Sequence, residues 1–495
     1  MGLFSRKPTK SSNHSGKKSP SINSDHIQSP RASRPSAGAS FGSLPAISAP
    51  KAPDPSVDPA AYLRSIFSVR ERCSVVTQKA RQNQLKHFDV DLTKWRDTAH
   101  YVVAIIKRDY APDYQAIPAH GRWQHFDAGG RPRVDQLLAT WTSQIDTQER
   151  CRRLIDLFVV SVLLDAGAGA KWQYKSKESG KIYRRSEGLA VASLEMFKSG
   201  AFSSNPAAPH QVDGKALKSL TLESLAKGLQ HSESNPLAGL EGRAGLMSRL
   251  GDALDNQLYF GASQRPGHIL DYLLSHHTTL ASSVPIVSLP TLWDVLMDGL
   301  SPIWPSTRTQ IHGTPLGDAW PCSSMPSSPA SQPWESIVPF HKLTQWMAYS
   351  LMTPMNKLLH IHFAHADLLT GLPEYRNGGL FIDTGLLTLK DEDRERGLKA
   401  YRDNAMIKGQ PNMEVVPLFT ADDDVIVEWR AVTVGFLDAL LEEVNAQLGL
   451  FARDGLTLAQ LLEAGSWKGG RELAEVSRPN TKEPPIMIAS DGTVF

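Results

Sequence analysis

Residues 154–169 read LIDLFVVSVLLDAGAG, and this stretch ends an apolar helix on a carboxylate. Apolar side chains recur at three- and four-residue spacing from Leu154 to Asp165, which predicts a helix with one face in the core. The Ala-Gly-Ala-Gly that follows predicts the end of that helix. A carboxylate in the last turn meets the unfavourable end of the helix dipole, so we expect a raised pKa for Asp165. A carboxyl group held in this way needs a hydrogen-bond donor or a cation as its partner, or it takes part in a reaction. Asp165 is therefore a candidate site residue.

Helical periodicity dominates the chain after residue 59 and predicts a mainly α, multi-helix globular body. The clearest apolar stripe of a helix lies in residues 429–444, and another helix is predicted over residues 187–198. One or two short β-hairpins complete the prediction. One turns at Ser179-Gly180, and a strand pair is predicted over residues 380–389. The alternation of strands and helices that is typical of a doubly wound sheet is missing.

The first 55 residues form a basic, Ser/Pro-rich segment that we predict to be a disordered tail. This segment carries a net charge of +6 within an overall +2, so residues 56–495 carry about −4. We predict that residues 56–495 form the folded body, with a Pro/Ser-rich loop at residues 301–335. A slightly acidic body argues against nucleic acid as a partner.

Other simple signals exclude several classes of protein. The three cysteines are far apart, which implies neither a disulfide framework nor a zinc site. No apolar run approaches the roughly 20 residues of a membrane span, and no apolar signal core is present. We therefore expect a cytoplasmic or nucleo-cytoplasmic protein without a membrane partner.

Nucleotide-binding glycine motifs are missing, and His360, His362 and His365 lack a supporting carboxylate pattern, so we expect neither cofactor nor metal.

A candidate anion site lies at the start of the helix predicted over residues 187–198. The guanidinium groups of Arg184 and Arg185 precede Ser186 and Glu187. The hydroxyl of Ser186 can cap the helix. Free amide N–H groups at a helix start and adjacent arginines are typical of a phosphate or carboxylate site. The alternative is a capped helix with surface arginines.

A second group of polar residues lies in the predicted loop at residues 372–379. Directed hydrogen bonds from such a loop can bind a sugar or a base, but an ordinary turn held by a Glu–Arg pair fits equally well. Arg243, in GLEGRA at residues 239–244, has the same ambiguity. The candidate residues are Glu374, Tyr375, Arg376 and Asn377, with Asp383 after them.

Five runs of sequence resemble the uracil catabolism protein 4 family of fungi and bacteria. The resemblance extends from about residue 60 to the end of the chain. The runs are LLDAGAG at 163–169, RSEGLAVA at 185–192, GLEGRA at 239–244, LPEYRNGG at 372–379 and DGTVF at 491–495.

The resemblance implies a role in uracil catabolism, on a ribosylated or ribosyl-phosphate intermediate. Our leading hypothesis is a hydrolase that cleaves a C–N bond of such a compound, for example of a ribosylurea. Asp165 would orient water or stabilise a cationic sugar, and Arg184 and Arg185 would hold phosphate beside Ser186. The alternative candidates for the general acid or base are Glu187, Glu374 and Asp383. Tyr375, Arg376, Asn377 and Arg243 would contact the substrate.

Two alternatives remain open. The protein could bind a nucleotide or scaffold other uracil-degrading enzymes without catalysing a reaction. Alternatively, Asp165 could be a helix-end carboxylate paired with an arginine for stability alone.

Overall fold

A computed structural model describes residues 47, 48, 50–169, 171–280, 284–328, 330–405 and 413–489. The predicted tail lies almost entirely outside these residues, as does the run at residues 491–495.

Helices make up most of the described chain, which confirms the mainly α prediction. Their bounds are α1 Pro59–Arg64, α2 Ile66–Arg81, α3 Trp95–Tyr110, α4 Arg122–Phe126, α5 Arg133–Thr140, α6 Thr147–Leu163, α7 Arg185–Lys198, α8 Gly214–Ser219, α9 Leu222–Gly228, α10 Leu240–Ala253, α11 Gln257–Phe260, α12 Ile269–Ser275, α13 Leu289–Gly299, α14 Lys342–Leu359, α15 Tyr375–Asp383, α16 Asp391–Ala405, α17 Asp424–Leu448, α18 Leu458–Leu461 and α19 Trp467–Ser477.

The strands are short and form separate two-stranded pairs. They are β1 Phe88–Val90, β2 Gln173–Lys175, β3 Ile182–Arg184, β4 Ile286–Ser288, β5 Gln310–Ile311, β6 Thr314–Pro315, β7 Ala319–Pro321, β8 Ile337–Pro339, β9 His362–Ala364, β10 Leu387–Leu389, β11 Leu418–Thr420 and β12 Met487–Ala489. The pairs β4–β9 and β11–β12 are parallel, and β1–β10, β2–β3, β5–β6 and β7–β8 are antiparallel. The β2–β3 hairpin confirms the turn predicted at Ser179-Gly180.

Helix α6 lies at the centre of the main core. Asp146 caps its start by accepting a hydrogen bond from the N–H of Glu149 at 2.7 Å. From Leu154 to Leu163 every residue is buried, and the helix packs on α14. A helix that is buried on all sides is typical of the interior of a large domain. The helix ends at Leu163, so Asp165 lies in the loop after it.

Helices α15 and α19 pack closely because α19 carries glycine at the crossing. A Cβ atom on Gly470 would overlap with the carbonyl oxygen of Arg376 in α15 and lie 2.8 Å from its carbonyl carbon. Helix α19 also follows a π-helical turn, Leu462–Ser466, which continues from α18. Such turns are rare and often occur near functional sites. The close crossing fixes the start of α19 relative to the start of α15.

Several local predictions differ from the structure. Most of residues 380–389 belong to helix α15 and the turn after it, and only Leu387–Leu389 forms a strand, paired with β1. Ser186 does not cap α7, because the helix begins at Arg185, two residues earlier than predicted, and Arg184 occupies the cap position. The segment predicted as a loop at residues 301–335 also contains three strands of two or three residues, β5, β6 and β7.

Among the helices that the structure describes, none is long and apolar enough to cross a membrane.

Candidate active site

A cavity of about 550 Å³ lies where the ends of several helices meet. Its walls come from the loop after α6, from α4, from the starts of α7, α14, α15 and α19, and from the β11–β12 pair. Polar or aromatic groups line one part: His120, His125, Asp165, Lys171, Arg185, Ser186, Lys342, Trp346, Glu374, Tyr375, Asn404, Trp467 and Glu483. Apolar side chains such as Leu237, Leu372, Leu418 and Met487 line the rest. An apolar cavity with a few converging polar groups is typical of a small-molecule site.

Asp165 lies in the wall of this cavity as one half of a buried ion pair. Its Oδ2 atom is 2.6 Å from a terminal guanidinium nitrogen of Arg122, and its side chain is only 7% exposed. Burial acts to raise the pKa of Asp165, but the charges of Arg122 and Lys342 outweigh it and hold the pKa below its usual value. The raised pKa expected from the helix end is therefore wrong. Asp165 lies beyond the end of the helix, and its arginine partner, Arg122, is too distant in the sequence to be identified from the local pattern.

Arg122 is fully buried and connects α4 to α6. Its Nε atom donates to the hydroxyl of Ser161 at 2.8 Å, and a terminal nitrogen donates to the carbonyl oxygen of Ser161 at 3.0 Å. Another terminal nitrogen lies 3.3 Å from Nδ1 of His125. Arginine can only donate hydrogen bonds, so His125 Nδ1 accepts and the proton of the neutral ring is on Nε2. Burial and the Arg122 charge lower the pKa of His125 to about 3, so the imidazole is neutral at physiological pH.

Four rings form an aromatic wall beside this ion pair. His120 and His125 each lie close to Trp346, with ring centroids 4.7 and 5.4 Å apart, and to Trp467, at 6.0 and 5.6 Å. Nδ1 of His120 is 2.6 Å from a carboxylate oxygen of Glu463, which orients that ring. Aromatic faces at these separations offer a flat, rigid surface to a planar ligand group.

Glu374 supplies a second carboxyl group to the cavity. It caps α15, because its two oxygens accept hydrogen bonds from the N–H groups of Arg376 at 2.8 Å and Asn377 at 2.6 Å. Burial raises the pKa of Glu374 to about 7, although the Asn377 hydrogen bond and the charge of Lys342 act in the opposite direction. The cavity therefore contains one carboxylate that stays ionised and one carboxyl group that exchanges its proton near neutral pH.

Replacing Glu374 with glutamine should change how stability depends on pH. A carboxyl group with a raised native pKa stabilises the fold below its unfolded pKa, and this contribution is lost as the pH rises through the native value. Between pH 4.5 and 8 the wild type should therefore lose on the order of 3 kcal/mol relative to Glu374→Gln. Urea unfolding of both proteins at several pH values measures this difference, in which other titrating groups cancel. Parallel curves for the two proteins would contradict the assignment.

The structure brings five of the predicted site residues to the cavity: Asp165, Arg185, Ser186, Glu374 and Tyr375. Arg185 also donates to the carbonyl oxygen of Thr481 at 3.2 Å. The hydroxyl of Ser186 helps to lower the pKa of Asp165. Their chemical roles remain predictions.

The other predicted site residues do not line the cavity. Arg184 is exposed and donates to Gln173 in the hairpin, Glu187 pairs with Arg471 at 2.7 Å, and both oxygens of Asp383 bind Arg478 at 3.0 and 2.6 Å. These contacts explain why the three side chains point elsewhere.

Arg376, Asn377 and Arg243 make contacts that hold the framework. The Arg376 guanidinium lies 3.4 Å from the carbonyl oxygen of Lys482, and Asn377 binds Leu372 and Ser466. Arg243 is fully buried and donates to the carbonyl oxygens of Leu164, Ala166, Gly167 and Ala238. It thereby fixes the loop that presents Asp165.

Sequence reasoning missed several residues that line the cavity or hold it. Arg122 and His125 lie in the short helix α4, and Trp346 and Lys342 lie one helical turn apart at the start of α14. The spacing of Arg122 and His125, three residues apart, was the available signal, since such residues share a helix face.

The clustering of potential metal-ligating side chains can be read from the described residues. Within the described ranges, no group of three or more His, Cys, Asp or Glu side chains is arranged to hold a metal ion. Of the three histidines considered above, His365 contacts the carbonyl oxygen of Ile47 through Nε2 at 2.9 Å.

Comparison with known proteins places the chain in a family. A family model described as protein of unknown function (DUF1688) matches residues 62–495. The chain is 47% identical over 445 residues to uracil catabolism protein 4 of Lachancea kluyveri, across 88% of this chain and 99% of that protein. It is 44% identical over 441 residues to protein urg3 of Schizosaccharomyces pombe, across 89% of this chain and all of that protein. The chain therefore belongs to the DUF1688 family, which confirms its resemblance to uracil catabolism protein 4.

Proposed function

We propose that this protein acts in uracil catabolism as a hydrolase of the C–N bond between ribose, or ribose phosphate, and a uracil-derived leaving group such as urea. The observation that carries the proposal is the pair of carboxyl groups in one cavity. Arg122 keeps Asp165 ionised, whereas burial gives Glu374 a pKa of about 7. Carboxyl groups whose pKa values are pushed apart by their surroundings are typical of an acid and its complementary carboxylate.

The relatives support the biological setting. A relative that is 47% identical is named uracil catabolism protein 4, and that name refers to the breakdown of uracil. The near-complete coverage of both proteins supports a shared role for this chain.

Asp165 and Glu374 have different roles in the proposed reaction. A water oxygen bonds to C1′ of the ribose while the bond from C1′ to nitrogen breaks. Asp165 stabilises the positive charge that develops on the sugar and accepts a proton from the water. Glu374 donates a proton to the leaving group, so that urea departs neutral and ribose gains a hydroxyl. Solvent then returns the proton from Asp165 to Glu374.

Cationic side chains near the same cavity support a phosphorylated substrate. Arg185 and Lys342 both line the cavity, and a guanidinium group binds phosphate oxygens in a bidentate way. Arg184 is the natural control, because it has the same chemistry at the adjacent position and its side chain contacts Gln173 instead.

An assay of urea release tests the proposal. Purified protein is incubated with ribosylurea and with its 5′-phosphate, and ligand binding is followed in parallel by thermal shift. We expect hydrolysis, with the phosphorylated compound preferred. Arg185→Ala should remove most of that preference by raising KM about tenfold or more, and Arg184→Ala should keep it. A ligand at about 100 times its Kd should stabilise the native state by roughly 2.7 kcal/mol.

Two outcomes would contradict parts of this proposal. Binding of these compounds without urea release would favour a non-catalytic nucleotide-binding or scaffold role. Equal losses in Arg185→Ala and Arg184→Ala would contradict a phosphate contact by Arg185.

A further inference from the structure

Three residues that line the cavity carry buried polar atoms with no hydrogen-bond partner among the described residues. They are Asp165 Oδ1, His125 Nε2 and Trp346 Nε1. A buried polar atom that lacks a partner costs stability, roughly 1–3 kcal/mol each. Natural proteins retain few such atoms, so three around one cavity indicate groups that a ligand satisfies.

The three atoms differ in what they offer. Asp165 Oδ1 belongs to an ionised carboxylate and can only accept, which suits the water or the cationic sugar of the proposed reaction. Trp346 Nε1 can only donate. His125 Nε2 also donates, because Arg122 occupies Nδ1 of the same ring.

The two donors belong to neighbouring rings. The ring centroids of His125 and Trp346 are 5.4 Å apart, and the rings are tilted by 44°. Neither ring carries a net charge, since His125 is neutral, so the pair suits a neutral carbonyl oxygen that gains negative charge during a reaction. Two N–H donors directed at one oxygen are the usual arrangement of an oxyanion-binding site.

We propose that His125 Nε2–H and Trp346 Nε1–H together bind the carbonyl oxygen of the leaving group, so that the protein selects N-ribosyl compounds whose leaving nitrogen bears a carbonyl group, as in a ureide or an amide. This inference rests on the proposed function, because it takes the cavity as the substrate site. As the bond from C1′ to nitrogen breaks, its electron pair spreads onto that oxygen, which the two donors stabilise. The proton from Glu374 then completes the neutral leaving group.

Trp346→Phe tests the inference, because it keeps an aromatic ring and removes the N–H donor, together with part of the indole ring. We expect kcat/KM for ribosylurea to fall about 10- to 100-fold. The value for N-(4-nitrophenyl)ribosylamine, whose leaving group has no carbonyl oxygen, should fall at least about fivefold less than the value for ribosylurea. Trp334→Phe is the matched control, because Trp334 packs on Tyr62 and Arg72 and does not line the cavity. Equal losses with both substrates, or no loss with either, would overturn the inference.

A binding experiment separates this inference from the hydrolase proposal. Calorimetry compares a ribose that carries a carboxamide on C1′ through carbon, which hydrolysis of a C–N glycosidic bond cannot cleave, with a ribose that carries ethyl there. The wild type should bind the carboxamide at least about tenfold more tightly, and Trp346→Phe should lose this difference. This result without urea release would reject the hydrolase alone. Equal affinities, or no binding of either compound, would overturn the inference even if ribosylurea is hydrolysed.

Discussion

Asp165→Asn is expected to lower the rate of C–N bond hydrolysis on the order of 10³-fold or more. Asparagine keeps the shape of the side chain but has no negative charge to stabilise the cationic sugar and does not accept a proton from water. The variant should also lose about 3–5 kcal/mol of stability, since Arg122 would become an unpaired buried charge. Activity per folded molecule and urea unfolding measure the two effects.

Asp156→Asn is the matched control for this experiment. Asp156 lies on α6, the helix that precedes Asp165, is fully buried and pairs with Arg265 at 2.8 Å, but it does not line the cavity. We expect this variant to lose stability while the folded molecules keep wild-type kcat. If Asp165→Asn behaves in the same way and keeps both ligand affinity and kcat, Asp165 is a structural residue and the catalytic assignment is wrong.

Gly470→Ala is expected to destabilise the protein by more than about 3 kcal/mol and to remove most of the activity. The added methyl group would overlap with the carbonyl oxygen of Arg376, and a backbone atom in a packed helix cannot move aside as a side chain can. Helices α15 and α19 would have to separate. Glu374 and Trp467 lie at the starts of these helices, so the separation would also widen the cavity. Urea unfolding and the urea-release assay measure the two effects.

Gly469→Ala provides the comparison at the adjacent position. Its Cβ would lie 3.3 Å from side-chain atoms of Ile105 and Tyr101, which can shift by a few tenths of an ångström. Alanine also favours a helix over glycine by about 1 kcal/mol, which offsets part of that cost. We expect near-normal stability and activity. A loss as large as that of Gly470→Ala would show that the sensitivity is general to α19 and does not come from the crossing.

The sequence was informative where a structure depends on local pattern. The apolar stripe before Asp165 predicted α6, and the stripe in residues 429–444 predicted α17, because a helix buries side chains at regular spacing. Asp165 itself could be identified as an unusual carboxylate, since an acid at the end of an apolar helix needs a partner. These inferences required only neighbours in sequence.

The wrong predictions depended on partners that are distant in sequence. The sign of the Asp165 pKa shift depends on Arg122, which lies 43 positions earlier and approaches only through tertiary packing. The polar residues of 372–379 suggested a loop, whereas the crossing with α19 and the cap by Glu374 stabilise a helix from Tyr375 onward. Tertiary contacts commonly override local propensity in this way.

The parallel pairing of β11 with β12 has a consequence for when the protein can become active during its synthesis. Met487 and Ala489 belong to β12 and line the cavity, together with Leu418 from β11. Chains are made from the N-terminus and begin to fold as they emerge. One wall of the cavity is therefore added only when residue 489 has left the ribosome, so a nascent chain keeps an open, unfinished cavity until that residue has emerged.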